Sequence, residues 1–219
     1  MKRELYQPQL HKLIPEWISL LWQQLGTVVI LSALGFFGSI PIVTAGALLI
    51  GIFNMMKLVV NGELALKEDF TLAVKAKWKT ATALFLMNLV IAGIIGFDLY
   101  FFWQNPQLKL FFWVGIYFAI IYLMSLTYMF PMLADENVGL KKIFVRSFKM
   151  AMVDPGFSFV VMLISVLWIA LCFILIPMLA TLAIGGLALW GSLAYREMSL
   201  KVDSLLALKE TNESEKNRE

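Results

Sequence analysis

The chain has 219 residues, 60% of them hydrophobic and 15% charged, with a mean hydropathy of +0.80. Soluble domains run nearer about 45–50% apolar and about 25% charged. This composition therefore excludes a cytosolic enzyme, a secreted disulfide scaffold, a disordered chain and a free nucleic-acid binder. The formal net charge of +3 implies no polyanionic partner, and the single cysteine, Cys172, reads as a small hydrophobe among apolar neighbours.

In chain order, the first residues carry Lys2 and Arg3, but no apolar run follows until Trp17 and no small-x-small cleavage pattern ends it, so no cleavable signal is expected. Six apolar stretches follow, at about 17–38, 41–60, 80–103, 110–133, 156–176 and 177–195. Each is long enough, at about 1.5 Å per residue, to cross hydrocarbon about 30 Å thick. None shows the period-two alternation of barrel strands, so helices are predicted. The breaks before Pro41 and Pro177 read as tight hairpins, because about 40 apolar residues exceed one crossing; the alternative is a four-span arrangement with both breaks buried. The expectation is an all-α polytopic bundle over residues 1–203 with six transmembrane helices and a polar cytoplasmic tail at 204–219, disordered over Lys209–Glu219.

The second span carries the small-residue pair Ala47 and Gly51, with Asn54 and Lys57 near its inner end. The connection after it places Leu66, Phe70, Ala73, Val74 and Trp78 at helical spacing, with Lys67, Lys75 and Lys79 elsewhere. On the third span, Asn88 and Asp98 are the polar exceptions. Tyr100 to Trp103 close that span, and Phe111 to Trp113 open the fourth, an aromatic belt of the kind that anchors at headgroup level. Trp17, Trp22 and Trp78 are expected to anchor the other side. Pro131 is expected to kink the fourth span near its inner end.

The second long connection repeats the first at an offset of 74 positions: Leu66 falls on Leu140, Phe70 on Phe144 and Lys75 on Lys149. Here Leu140, Ile143, Phe144, Phe148 and Met152 form an apolar stripe, with Lys141, Lys142, Arg146 and Lys149 between. Both connections read as amphipathic interfacial helices whose basic residues contact lipid headgroups or a partner. In the sixth stretch, Ala188 and Ser192 form another small-residue pair.

Six crossings leave Lys109 alone, of eighteen basic residues, on the far side; the positive-inside rule then puts both termini in the cytoplasm. Asp98, Asn54 and Asn88 are the candidate intramembrane polar site. The only histidine, His11, lies outside the spans, and no phosphate loop, dinucleotide fingerprint, HExxH or GxSxG string occurs. No metal, cofactor or catalytic residue is therefore expected.

Several strings together resemble the YesL family of bacterial integral membrane proteins, over roughly residues 15–200. They are Ser39-Ile40-Pro41-Ile42-Val43-Thr44-Ala45-Gly46, Asp69-Phe70, Lys75-x-x-Trp78-Lys79, Phe97-Asp98-Leu99 and Phe130-Pro131-Met132-Leu133-Ala134. The family pattern favours a basic residue after that alanine, where this chain has Asp135-Glu136. The resemblance implies a multi-pass protein of the bacterial inner membrane, accessory to carbohydrate uptake, with components of an ABC-type sugar transporter as partners; it supplies no functional residue. Two expectations result: a non-enzymatic accessory that docks a transport component, or a small solute facilitator lined by Asp98, Asn54 and Asn88.

Overall fold

The computed structural model describes residues 6–38, 42–136, 138–175 and 181–216. Every regular element among them is helical: α1 (Leu10–Gln23), α2 (Leu25–Gly38), α3 (Ile42–Val60), α4 (Lys67–Gln104), a 3-10 turn (Pro106–Leu108), α5 (Lys109–Asp135), α6 (Leu140–Val153), α7 (Pro155–Ile174) and α8 (Ala183–Lys216). Helices α4, α5 with its preceding turn, and α7 are long and apolar enough to cross a membrane. The pair α1 and α2 makes a fourth crossing if its two bent parts count as one. Both expected hairpin breaks, at 39–41 and 176–180, lie outside the described residues.

Several expectations are corrected. The first stretch is not one helix: the chain turns by 85° between α1 and α2, around Gln24. Helix α1 starts earlier, at Leu10, and is amphipathic, burying Leu13 and Trp17 while Ile14, Ile18 and Trp22 are exposed. The first basic amphipathic segment is not a separate helix either, because α4 runs unbroken for 38 residues through it and the third span. No glycine or proline interrupts 67–92, so nothing stops the helix. Its counterpart α6 does end, at Asp154-Pro155, where the Asp154 carboxylate accepts the Phe157 N–H at 3.0 Å and caps α7. Finally, the tail is helical as far as Lys216, since Leu205, Leu206 and Ala207 are good helix formers and no breaker follows Gly191.

Helix α3 packs against α2, α4, α5 and α8 and supplies Ile50, Ile52 and Met56 to the core. Its contact with α4 is close because Gly46 faces backbone: a Cβ there would lie 2.6 Å from the Ala81 carbonyl oxygen and from Thr82 Cα. Lower down, the Phe70 ring covers Gly51, the small residue the sequence singled out. At mid-height three tryptophans interlock, with Trp17 edge-on to Trp168 at 4.8 Å and to Trp190 at 5.6 Å. Each indole N–H donates to a backbone carbonyl: Trp17 to Gly186, Trp168 to Ala183 and Trp190 to Val161. Trp17 is thus a core residue and not an interfacial anchor, whereas Trp22 and Trp78 are exposed.

The far ends of α4 and α5 form a hairpin with exposed Ile94, Phe97, Trp103, Trp113, Tyr117 and Phe118. Such surfaces suit hydrocarbon and headgroup, not water. At the opposite end the charged residues collect. Changing Gly46 to Ala is expected to push α3 and α4 apart and cost about 1–3 kcal/mol. Gly93, with nothing within 4 Å of a built Cβ, is the control; its change to Ala is expected to be neutral or to gain up to about 1 kcal/mol. Thermal unfolding in detergent distinguishes the two.

Candidate functional site

Six helices bring ionised side chains to the charged end, and most of these charges meet a partner. Lys57 of α3 pairs with Asp135 at the end of α5 at 2.7 Å, and the Tyr195 hydroxyl donates to the same carboxylate at 3.2 Å. Lys77 of α4 reaches across to the last turn of α5. Its ammonium donates to the carbonyls of Leu133, Ala134 and Glu136 at 2.7, 3.1 and 3.2 Å, satisfying acceptors that a helix terminus leaves open. Arg146 of α6 forms an ion pair with Glu136.

Arg196 of α8 is the most connected cation. It donates two hydrogen bonds to Glu16 of α1, at 2.8 and 2.9 Å, and one to the Val60 carbonyl at 3.2 Å. Glu197 beside it accepts the Tyr6 hydroxyl at 2.5 Å. Burial, reinforced by the hydrogen bond to Glu197 and its charge, pushes the Tyr6 phenol up to about 12, against the pull of Arg196. Lys201 is buried and pairs with Asp154 at 2.7 Å. Burial tends to raise the Asp154 carboxyl, but the hydrogen bonds from Lys201 and Phe157 and the Lys201 charge prevail and hold it below its ordinary value.

Three cavities border this network, one of them of about 220 Å³ and lined by Tyr6, Gln9, Lys12, Leu13, Glu16 and Glu197. A polar one of about 100 Å³ is lined by Lys57, Asp135, Tyr195, Arg196 and Ser192, whose buried hydroxyl has no hydrogen-bond partner among the described residues. A groove of about 400 Å³ runs between α6 and the extension of α8. Its floor is Met132, Met150, Val153, Val202 and Leu206; Glu136, Arg146, Lys149 and Asp203 stand around it. Higher up, a cleft of about 350 Å³ has almost wholly apolar walls, including Phe53, Phe85, Phe130, Met162 and Ile169.

The residues singled out in the sequence fall in several places. Lys67, Lys75 and Lys79 are exposed on α4, with Lys79 over the Trp78 ring at 5.6 Å. Lys141, Lys142, Arg146 and Lys149 are exposed on α6. Asn54 donates to the Asp69 carbonyl at 3.3 Å and ties α3 to the start of α4. Asn88 is buried at the apolar cleft, donating to the Leu84 carbonyl and accepting the Tyr122 hydroxyl at 2.7 Å. Asp98 is exposed beside a separate pocket of about 220 Å³ between α4 and α5. These three polar side chains share no cavity among the described residues. No group of three His, Cys, Asp or Glu able to hold a metal occurs among the described residues.

Sequence reasoning passed over the acidic half of the network, Glu16, Asp135, Glu136, Asp154 and Glu197. Its signal was present: apart from Asp98, every carboxylate falls on the same side of the spans as the basic residues. No family model, curated protein or solved structure matches the chain.

The Asp154 carboxylate stabilises the fold above its ordinary value of 3.8, and that contribution is lost as pH falls through its lower folded value. Asp154→Asn is therefore expected to cost about 1–3 kcal/mol at neutral pH. The difference in unfolding temperature from the unaltered chain is expected to close below about pH 4.

Proposed function

We propose that this chain is a non-enzymatic, multi-pass protein of the bacterial inner membrane, with six crossings and both ends in the cytoplasm. It serves carbohydrate uptake or sensing as an accessory that docks a component of an ABC-type sugar transporter. The carbohydrate side of this reading rests on the sequence resemblance to the YesL family. The docking side rests on the groove between α6 and α8. An amphipathic segment of a partner would lay apolar side chains on Met132, Met150, Val202 and Leu206. Arg146, Lys149, Glu136 and Asp203 would meet its charges around that apolar floor, as polar rims do in protein interfaces.

The saturated network supports a non-catalytic role. Each acid named in it already faces a cation or a hydroxyl, and the side chains are placed to hold helices together. The topology is supported by the gathering of Tyr6, Lys57, Lys77, Asp135, Asp154 and Lys201 at one end of the bundle.

Two measurements test this reading. A photo-crosslinking residue at Leu206, in cells expressing the chain, is expected to capture a transporter subunit, while one at Trp113 captures none. Recovery of no transport component from Leu206, with an equally bare purification in mild detergent, overturns docking. For topology, a cysteine at Asn105 is expected to react with an impermeant maleimide in intact cells. One at Lys209 is expected to react only after the cells are opened; labelling of both in intact cells rejects the orientation.

A further inference from the structure

Helix α6 packs only part of its apolar surface. Ile143, Ser147, Met150 and Ala151 are buried, spaced by three and four residues along one face. The opposite arc carries a second apolar stripe, Val145, Phe148 and Met152, at 47, 49 and 36% exposure. Lys141 falls within that stripe, and Lys142 and Lys149 border it on the side of Arg146. Of these cations only Arg146 has an ion pair among the described residues. The helix holds four basic residues and no acidic one in Leu140–Val153, whereas α4 begins with Glu68 and Asp69 beside Lys67. The stripe also adjoins α7, whose first turns expose Phe159 and Leu163.

We propose that the outward face of α6 is a binding surface for anionic phospholipid. Phe148, Met152 and Val145 enter the boundary between acyl chains and headgroups, and Lys141 and Lys142, neither of which lines the groove, contact lipid phosphates. Three features commit the face to lipid and not to a protein. It is cationic without a single carboxylate, it mixes exposed apolar and basic residues along one helix, and it runs on into the exposed apolar wall of α7. The assignment depends on the chain lying in a membrane, and it is independent of docking in the groove.

The experiment uses the full chain in nanodiscs of phosphatidylcholine, alone or mixed with phosphatidylglycerol. A bimane label on Phe148→Cys is expected to be quenched by brominated acyl chains, and more strongly by brominated phosphatidylglycerol than by brominated phosphatidylcholine. Native mass spectrometry of the unaltered chain is expected to show retained phosphatidylglycerol in preference to phosphatidylcholine. Changing Lys141 and Lys142 together to Gln is expected to lower that preference at least about tenfold, while the Lys→Arg pair keeps it. Both positions are exposed, so circular dichroism is expected to match the unaltered chain. A label that brominated chains do not quench, an equal response to both headgroups, or a preference that survives the Gln set overturns the proposal. Crosslinking from Leu206 is unaffected by the Gln set, so a failure here is distinct from a failure of docking.

Discussion

Hydrocarbon solvates an apolar helix about as well as another helix does, so helices in a bilayer associate through close packing and polar contacts. This chain meets that constraint differently along its length. At mid-height, α3 crosses α4 over Gly46, and three indole N–H groups find backbone carbonyls. At the charged end, ion pairs join α1, α3, α5 and α8. Towards the aromatic turn the described residues form no ion pair, Leu99 of α4 lies over Gly115 of α5, and the two helices leave most of their apolar surface uncovered. Among the described residues the polar ties thus gather at mid-height and at the charged end.

Much of this was legible from composition and periodicity. Helical class, the extents of α5 and α7, the aromatic turn and a separate basic helix at α6 all follow from where apolar residues stop and where charges begin. The bend near Gln24 was not legible, because Gln24 and Gly26 are weak signals inside an apolar run, and the packing of Trp17 on Trp168 and Trp190 that accompanies it is a long-range event. The continuity of α4 was hidden by the opposite effect. A polar-to-apolar change of composition looks like a boundary, yet without Gly, Pro or a cap it does not end a helix.

The site was less legible than the fold. Counting basic residues by side set an orientation, but it treated them as unpaired when several are matched by acids distant in sequence. Glu16 and Arg196 are 180 positions apart, and Lys57 meets Asp135 through two different helix ends. Polarity inside a span was likewise a poor guide to grouping. Asn54 and Asn88 bind backbone carbonyls of α4, and Asp98 stands apart, so rarity in sequence did not translate into proximity. On α6 no acid shares the helix with Lys141, Lys142, Arg146 and Lys149, and Arg146 finds its partner, Glu136, at the end of α5.

Helix α4 has a mechanical consequence. Its 38 residues form a rod of about 57 Å, held most tightly where Ala81 and Thr82 meet Gly46. That crossing divides it into arms of about 21 Å towards Lys67 and about 35 Å towards Gln104. Lys77 sits on the short arm and is bound to the end of α5. The short arm is therefore held at two points, and the long arm extends beyond the crossing with most of its apolar surface uncovered.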